Sequence, residues 1–215
     1  MLNRNDITRW IRREWRHLFH ELNPASRRKA AQWENSGGVD FLRIIGFKED
    51  DVVIDFGCGP GNYCIPAARL VGAEGMVYAV DKNLSVLKKV QRKADMLGLQ
   101  NLHAASCLAE LMPLPDDRKC NIALLYDMLH FLDTPERKEL YAALHAILAE
   151  NGILSVHLKH VKGDDPARYF LTMSAEDVAR EIEMAGFCLS QRLPVQVWHS
   201  HDTENSVVWN FIKRS

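Results

Sequence analysis

Val52-Val53-Ile54-Asp55-Phe56-Gly57-Cys58-Gly59-Pro60-Gly61-Asn62 constrains this chain more than any other stretch: an apolar run, then an acid, then glycine at every second position. An apolar run with no polar alternation fits a strand buried on both faces, as in a parallel sheet. The glycines fit a tight turn that lets a ligand approach the backbone. A turn at the carboxyl end of a parallel strand is where open α/β sheets bind ligands. A dinucleotide turn needs G-x-G-x-x-G, but Asn62 stands in the third glycine slot and Gly61 comes one place early. A phosphate loop needs Lys-Ser or Lys-Thr after its last glycine, and neither follows Gly61.

The pattern beyond the turn alternates. Ile65–Val71 reads as a helix closed by Gly72 and Gly75, and Met76–Val80 as a second strand that ends at Asp81. Leu84–Leu97 has helical spacing and stops at Gly98, with Asp81 open to a role as its cap. Asn101–Ala105 is a third strand, Pro113–Asp117 a turn-rich loop, and Cys120–Tyr126 a fourth strand. Thr134 serves as an N-cap with Pro135 at the first helical position, and the amphipathic pattern runs to Leu148 before Asn151-Gly152 ends it. Ile153–Lys159 is a fifth strand, and Ser174–Ala185 a helix capped by Ser174. Phe187–Trp198 and Val207–Lys213 form a hairpin across a His199–Ser206 loop. Alternation of this kind predicts an α/β fold: an open, mostly parallel, seven-stranded Rossmann-like sheet with helices on both faces and an antiparallel C-terminal strand pair.

Asp81 lies about twenty residues beyond the turn, the offset at which a carboxylate accepts from both hydroxyls of a ribose. NAD and S-adenosylmethionine both carry that diol, so the glycine spacing has to separate them. An acid followed by G-x-G-x-G, with Asp81 after the second strand, resembles the first motif of the class I (Rossmann-like) S-adenosylmethionine-dependent methyltransferases, of small-molecule type. The resemblance extends from about Val39 to Arg214. It implies S-adenosylmethionine as cofactor, bound by Asp55, Gly57, Cys58, Gly59 and Gly61 at the turn and by Asp81 and Lys82 at the ribose. Many relatives place an acid near the adenine after the third strand. Here Cys107 and Leu108 stand there, and the first acid is Glu110. Tyr126 falls beside the methyl donor, and Tyr126, Asp127 and His130 are the candidates for a catalytic base. A sulfonium is already a good leaving group, so a base is needed only where the acceptor must lose a proton. Two alternatives stay open: a methyltransferase-like protein that binds cofactor without turnover, and an NAD-dependent oxidoreductase.

The 215 residues suit one such domain, residues 39–215, preceded by a helical cap or lid over residues 1–38. In the latter, Ile7, Trp10, Ile11, Trp15, Leu18, Phe19 and Leu22 form one apolar stripe, followed by Trp33 and Phe41. Trp198-His199-Ser200-His201 is a second candidate for the acceptor side. A formal charge of −1 argues for a small-molecule methyl acceptor over nucleic acid. So does Tyr126-Asp127-Met128-Leu129, standing where amino-methylating relatives carry Asn-Pro-Pro-Tyr. No apolar run is long enough for a bilayer and no leader is visible, which leads to the expectation of a cytoplasmic protein. The five cysteines (Cys58, Cys64, Cys107, Cys120, Cys188) form no C-x-x-C pair and read as reduced thiols, and no metal site is expected.

Overall fold

The parallel core starts at β1 (Val52–Phe56), whose residues are buried alternately on two faces. Val52 and Ile54 belong to one apolar layer and Val53 to the other, the period-two consequence of a pleated strand covered on both sides. The computed structural model describes residues 23–111, 114, 118–164, 168–199 and 201–214. The apolar stripe from Ile7 to Leu22 and most of the Pro113–Asp117 loop fall outside them.

The first described elements are α1 (Pro24–Gln32), a π-helical turn (Trp33–Gly37) and α2 (Gly38–Ile45). After β1 come α3 (Cys64–Val71), β2 (Met76–Val80), α4 (Leu84–Met96), β3 (Leu102–Ala105) and β4 (Cys120–Tyr126). Then follow α5 (Thr134–Ile147), β5 (Leu148–His157), α6 (Ala175–Met184), β6 (Phe187–His199) and β7 (Asp202–Lys213). The seven strands lie in the order β3-β2-β1-β4-β5-β7-β6. β1 pairs in parallel with both β2 and β4, and β7 is antiparallel to both β5 and β6. The expected fold class is therefore the observed one. The strand order reverses between β1 and β4, which opens a crevice at their carboxyl ends. One face of the sheet packs on α5 and α6 through Leu140, Leu144, Ile147, Val178 and Ile182. The other packs on α2, α3 and α4 through Phe41, Ile65, Ala68, Leu87 and Val90. No described helix is long and apolar enough to cross a membrane.

Four local expectations change. The α5 N-cap is Asp133, not Thr134: Asp133 accepts from Glu136 N at 3.0 Å and Glu136 returns the bond to Asp133 N at 2.8 Å. This reciprocal box satisfies two end donors, which Thr134 alone could not do. Asp81 does not cap α4, because Asn83 accepts from Ser85 N instead. Asn151-Gly152 does not end α5, which stops at Ile147; the pair lies in a bulge of β5. Cys120 faces Leu148 while Ile122 faces Ile153, and Asn151 takes the left-handed φ of 60° that absorbs the extra residues. Finally, β7 begins at Asp202 rather than Val207, so the hairpin ladder reaches His199 opposite Asp202.

The Arg137 and Glu181 side chains, on α5 and α6, are almost wholly buried and bind each other through two hydrogen bonds of 2.7 and 2.8 Å. Arg137 also donates to Leu132 O and lies over the Phe170 ring. Removing one member leaves a buried charge without its counterion. Glu181→Ala is expected to cost about 3–5 kcal/mol in a denaturant titration, and the paired replacement Arg137→Met with Glu181→Leu to cost clearly less.

Candidate functional site

The turn after β1 is built by backbone geometry. Gly57, Gly59 and Gly61 all have positive φ, at 78°, 50° and 90°, values that a β-carbon makes costly. At Gly57 the restriction is also spatial: a β-carbon there would lie 2.9 Å from Met128 Cβ. The glycine therefore lets the residue after β1 press against the segment after β4. Gly57 and Cys58 donate to Val80 O at 2.8 and 3.0 Å, which ties the turn to the end of β2. The predicted site residue Asp55 lies within the sheet, 2 % exposed, and its Oδ2 has no hydrogen-bond partner. Burial pushes its carboxyl up to about 7, against the pull of the Cys64 backbone N–H and with a further push from Asp81.

Asp81 sits half-buried at the end of β2 and locks two loops together. Its Oδ2 accepts from Gly59 N at 3.1 Å and its Oδ1 from Asn83 N at 2.8 Å. A carboxylate offers about four lone-pair sites, so both oxygens keep capacity for a diol. Lys82 beside it is exposed. After β3, exposed Cys107 and half-buried Leu108 begin a short 3-10 turn (Leu108–Leu111). Glu110 holds that loop by accepting from Ser106 N at 2.8 Å and Ser106 Oγ at 2.5 Å, and these bonds lower its carboxyl pKa. Asp55, the glycines, Asp81, Lys82, Cys107 and Leu108 thus share the carboxyl edge of β1, β2 and β3.

Tyr126 departs from the other candidates. Its hydroxyl pairs with Ser155 Oγ at 2.8 Å within the core, and its ring lies against Tyr63 at 4.7 Å. Burial drives its phenol well above the usual range, which removes it from proton transfer near neutral pH. Asp127 and His130 do come together, with His130 Nδ1 3.8 Å from Asp127 Oδ1. Two further residues join them. His160 Nε2 is 3.3 Å from Asp127 Oδ1, and His199 Nε2 is 3.2 Å from Asp127 Oδ2. His199 also turns Nδ1 to Glu204 Oε2 at 3.4 Å, and Lys159 Nζ holds Glu204 at 2.6 Å. Burial alone would raise the Asp127 carboxyl, but the His199 hydrogen bond and the charges of His199, His160 and His130 together hold it below its ordinary value. The same bond raises the His199 imidazole. Both Asp127 and His160 adopt left-handed φ, 53° and 59°, the kind of backbone strain that persists only where surrounding structure imposes it.

Sequence reading did not find His160 in this cluster, and it placed His199 in a hairpin loop rather than opposite Asp127. These residues lie on segments far apart in the chain and share no local spacing. The available signal was weak: a histidine just past each of two strands, on the edge where the glycine turn also lies. Trp33 ties the end of the segment before β1 to the residue after the glycine turn. Its Nε1 donates to Asn62 O at 2.8 Å, and its ring lies 6.0 Å from that of Trp198. Trp33, Phe41, Pro194, Trp198 and Thr203 line a cleft of about 640 Å³ between the segment before β1 and the C-terminal hairpin. A second cleft, of about 720 Å³, is lined by Arg69, Gly98, Asn101 and Arg118 at the opposite end of the sheet and touches no candidate residue.

Residues 53–152 match the family model described as a methyltransferase domain. The ubiquinone/menaquinone biosynthesis C-methyltransferase UbiE of Teredinibacter turnerae is 31% identical over 128 residues, which is 56% of this chain and 50% of that protein. A probable cobalt-precorrin-6B C(15)-methyltransferase of Saccharolobus solfataricus is 39% identical over 60 residues, 28% of this chain and 30% of that protein. The chain spans half or less of the length of these curated relatives. Among solved structures, a SAM-dependent methyltransferase from Aquifex aeolicus superposes with a TM-score of 0.67 at 22% identity, over 85% of this chain and 93% of that one. The [4+2]-cyclase SpnF superposes with a TM-score of 0.62 at 17% identity, over 82% of this chain and 79% of that one. Likeness at these identities concerns the fold.

Two buried groups make opposite contributions to stability against pH. Asp55 titrates near 7 when folded and near 3.8 when free, so the folded state holds the extra proton and its ionisation penalty grows from about pH 4 to about pH 7. His157 is pushed by burial from 6.5 to about 4, so its contribution is complete above about pH 6.5 and is lost as pH falls toward 4. Asp55→Asn removes the first of these and leaves the second. The variant is expected to be about 2–4 kcal/mol more stable than the parent at pH 7 and to match it near pH 4, as read from urea midpoints across that range.

Proposed function

We propose that this chain, whose residues 53–152 match a methyltransferase domain, is a class I S-adenosylmethionine-dependent methyltransferase that transfers a methyl group to a small-molecule nucleophile. The observation that carries the reading is the linked pair Asp55 and Asp81 around the glycine turn. Asp81 presents a half-buried carboxylate where a ribose diol would lie, and Asp55 keeps a buried oxygen without a partner beneath the turn. These groups suit a cationic nucleoside with a free diol, and the early Gly61 leaves no pyrophosphate cradle. When bound, the cofactor supplies an activated methyl on a sulfonium.

The chain's own residues would do the rest. Gly57, Cys58, Gly59 and Gly61 give the backbone surface, Asp81 with Lys82 the ribose side, and Cys107 with Leu108 the adenine side. Met128, packed on Gly57, brings Asp127 and His130 next to the turn. An acceptor proton passes to the His130 imidazole, with the Asp127 carboxylate at 3.8 Å balancing the charge that forms. Orientation then supplies much of the rate, because the displacement needs alignment more than activation. The described part of the segment before β1, residues 23–38, would help to wall the acceptor side; the bond from Trp33 to Asn62 and the aromatic cleft that Trp33 lines support this. The formal charge of −1 supports a small acceptor over a polyanion.

Calorimetry with S-adenosylhomocysteine and with NAD, followed by a tritiated-methyl screen of small-molecule extracts, tests the reading. S-adenosylhomocysteine should bind with NAD inert, and Asp81→Ala should weaken that binding by about ten- to a hundredfold, the worth of losing a charge-assisted pair of hydrogen bonds. Binding that is unchanged in Asp81→Ala, or binding of NAD instead, would refute it.

A further inference from the structure

Among the described residues, Asp127, His160 and His199 form a group whose ligand atoms, one from each, all lie within 4.8 Å of one another. We propose that these three residues bind a first-row divalent transition-metal ion at the carboxyl edge of the sheet. Metal–nitrogen and metal–oxygen bonds of about 2.0–2.2 Å place the ligands of a tetrahedral site about 3.3–3.5 Å apart. Each imidazole stands about that far from one oxygen of the carboxylate, His160 Nε2 3.3 Å from Oδ1 and His199 Nε2 3.2 Å from Oδ2, so the two oxygens of Asp127 face one histidine each.

The surroundings fit at His199, whereas His160 Nδ1 is buried without a hydrogen-bond partner. A ligating histidine needs its second ring nitrogen held by a carboxylate or carbonyl, which fixes the tautomer and aims the other nitrogen at the metal. His199 has that partner: Glu204 Oε2 stands 3.4 Å from Nδ1, and Lys159 anchors Glu204 in turn. Asp127 is the residue after β4, His160 follows β5, and His199 closes β6, so three elements of the sheet position one ligand each. Left-handed backbone at both Asp127 and His160 turns them into the cluster. The donor set also selects the ion. Two imidazoles and one carboxylate suit Zn(II), Co(II), Ni(II) or Fe(II), whereas Mg(II) and Ca(II) take oxygen ligands. Three protein ligands leave a coordination position open, as metal sites that bind a reactant do. His130 lies next to the group, its ring 4.3 Å from that of His160. Placement of the methyl acceptor on this ion rests on the function proposed above; metal binding does not.

Untagged protein, stripped with chelator, is titrated with Co(II) alone and followed by visible d–d absorption, then challenged with Zn(II) and with Mg(II). One equivalent should bind, be displaced by Zn(II) and be unaffected by Mg(II). His160→Gln and His199→Asn should each weaken binding at least about tenfold while circular dichroism and the urea midpoint show a folded chain. Glu204→Gln leaves all three ligands in place and should weaken it by about ten- to a hundredfold, which keeps the test intact if a ligand variant does not fold. No cobalt spectrum from folded parent protein, or equal affinity in parent and variants, overturns the proposal. S-adenosylhomocysteine binding without cobalt binding would remove the metal site and leave the methyl-donor reading standing.

Discussion

The contact of Gly57 with Met128 governs how close the two halves of this site can come. β1 and β4 are neighbours where the strand order reverses, so the loops that leave their carboxyl ends diverge to opposite sides of the sheet. A side chain at Gly57 would hold them apart, since its first carbon would meet Met128 Cβ at 2.9 Å. Without it, the glycine turn and the Met128 side chain, next to Asp127, pack closely together. The positive φ at Gly57 and the left-handed Asp127 are two sides of one solution, each turning its strand abruptly into the crevice.

That arrangement concentrates ionisable groups in a part of the fold that would be more stable without them. Asp55 is enclosed by strands on both sides, with one oxygen unpartnered and its carboxyl raised to about 7. An isosteric amide would avoid the ionisation cost. Asp127 escapes the same fate because imidazoles surround it and keep it anionic. At the carboxyl ends of the neighbouring strands β1 and β4 the chain therefore maintains a carboxyl that resists ionisation and another that favours it, a divergence found at functional sites. By contrast, Arg137 and Glu181 are buried as a complete pair, with bidentate geometry and extra acceptors, and serve to clamp α5 onto α6.

How much of this was readable in the sequence follows from which interactions are local. The β1 turn, the strand order class and the Ser174 cap of α6 are determined by neighbours within a few residues, and the spacing of glycines and apolar residues exposes them. The Asp133–Glu136 box was equally local, but Thr134 offered a competing cap one place later, and only backbone geometry separates them. Asn151-Gly152 carried the right turn chemistry in the wrong element, since a left-handed Asn serves a strand bulge as well as a helix end. Tyr126 was placed at the correct strand end, yet pleat alternation sends its ring into the aromatic layer with Phe41 and Tyr63 while the next residue faces the crevice. Strand periodicity alone does not decide which of two terminal residues turns inward.

The hairpin shows why His199 escaped. β5 pairs with β7 only as far as His157 opposite Val208, whereas β6 and β7 continue together to His199 opposite Asp202. The added rungs of β7 carry Thr203, Glu204, Asn205 and Ser206, with no apolar alternation, so they read as loop. The facing rungs of β6 hold the overhang in place: Val197 and Trp198 are buried with Trp33 and Tyr63, Tyr63 bonds the Trp198 backbone, and Lys29 pairs with Asp202. The overhang projects past the sheet edge toward Asp127 and delivers His199 and Glu204 there, while Ser206 reaches His157 at 2.9 Å. The glycine turn is thus encoded by short-range pattern, and the group around Asp127 in part by the length of one antiparallel pair. A shorter hairpin would take His199 away from Asp127 while leaving the bonds of Asp81 to Gly59 and Asn83 in place, so the overhang can alter the Asp127 cluster separately from the loops that Asp81 holds.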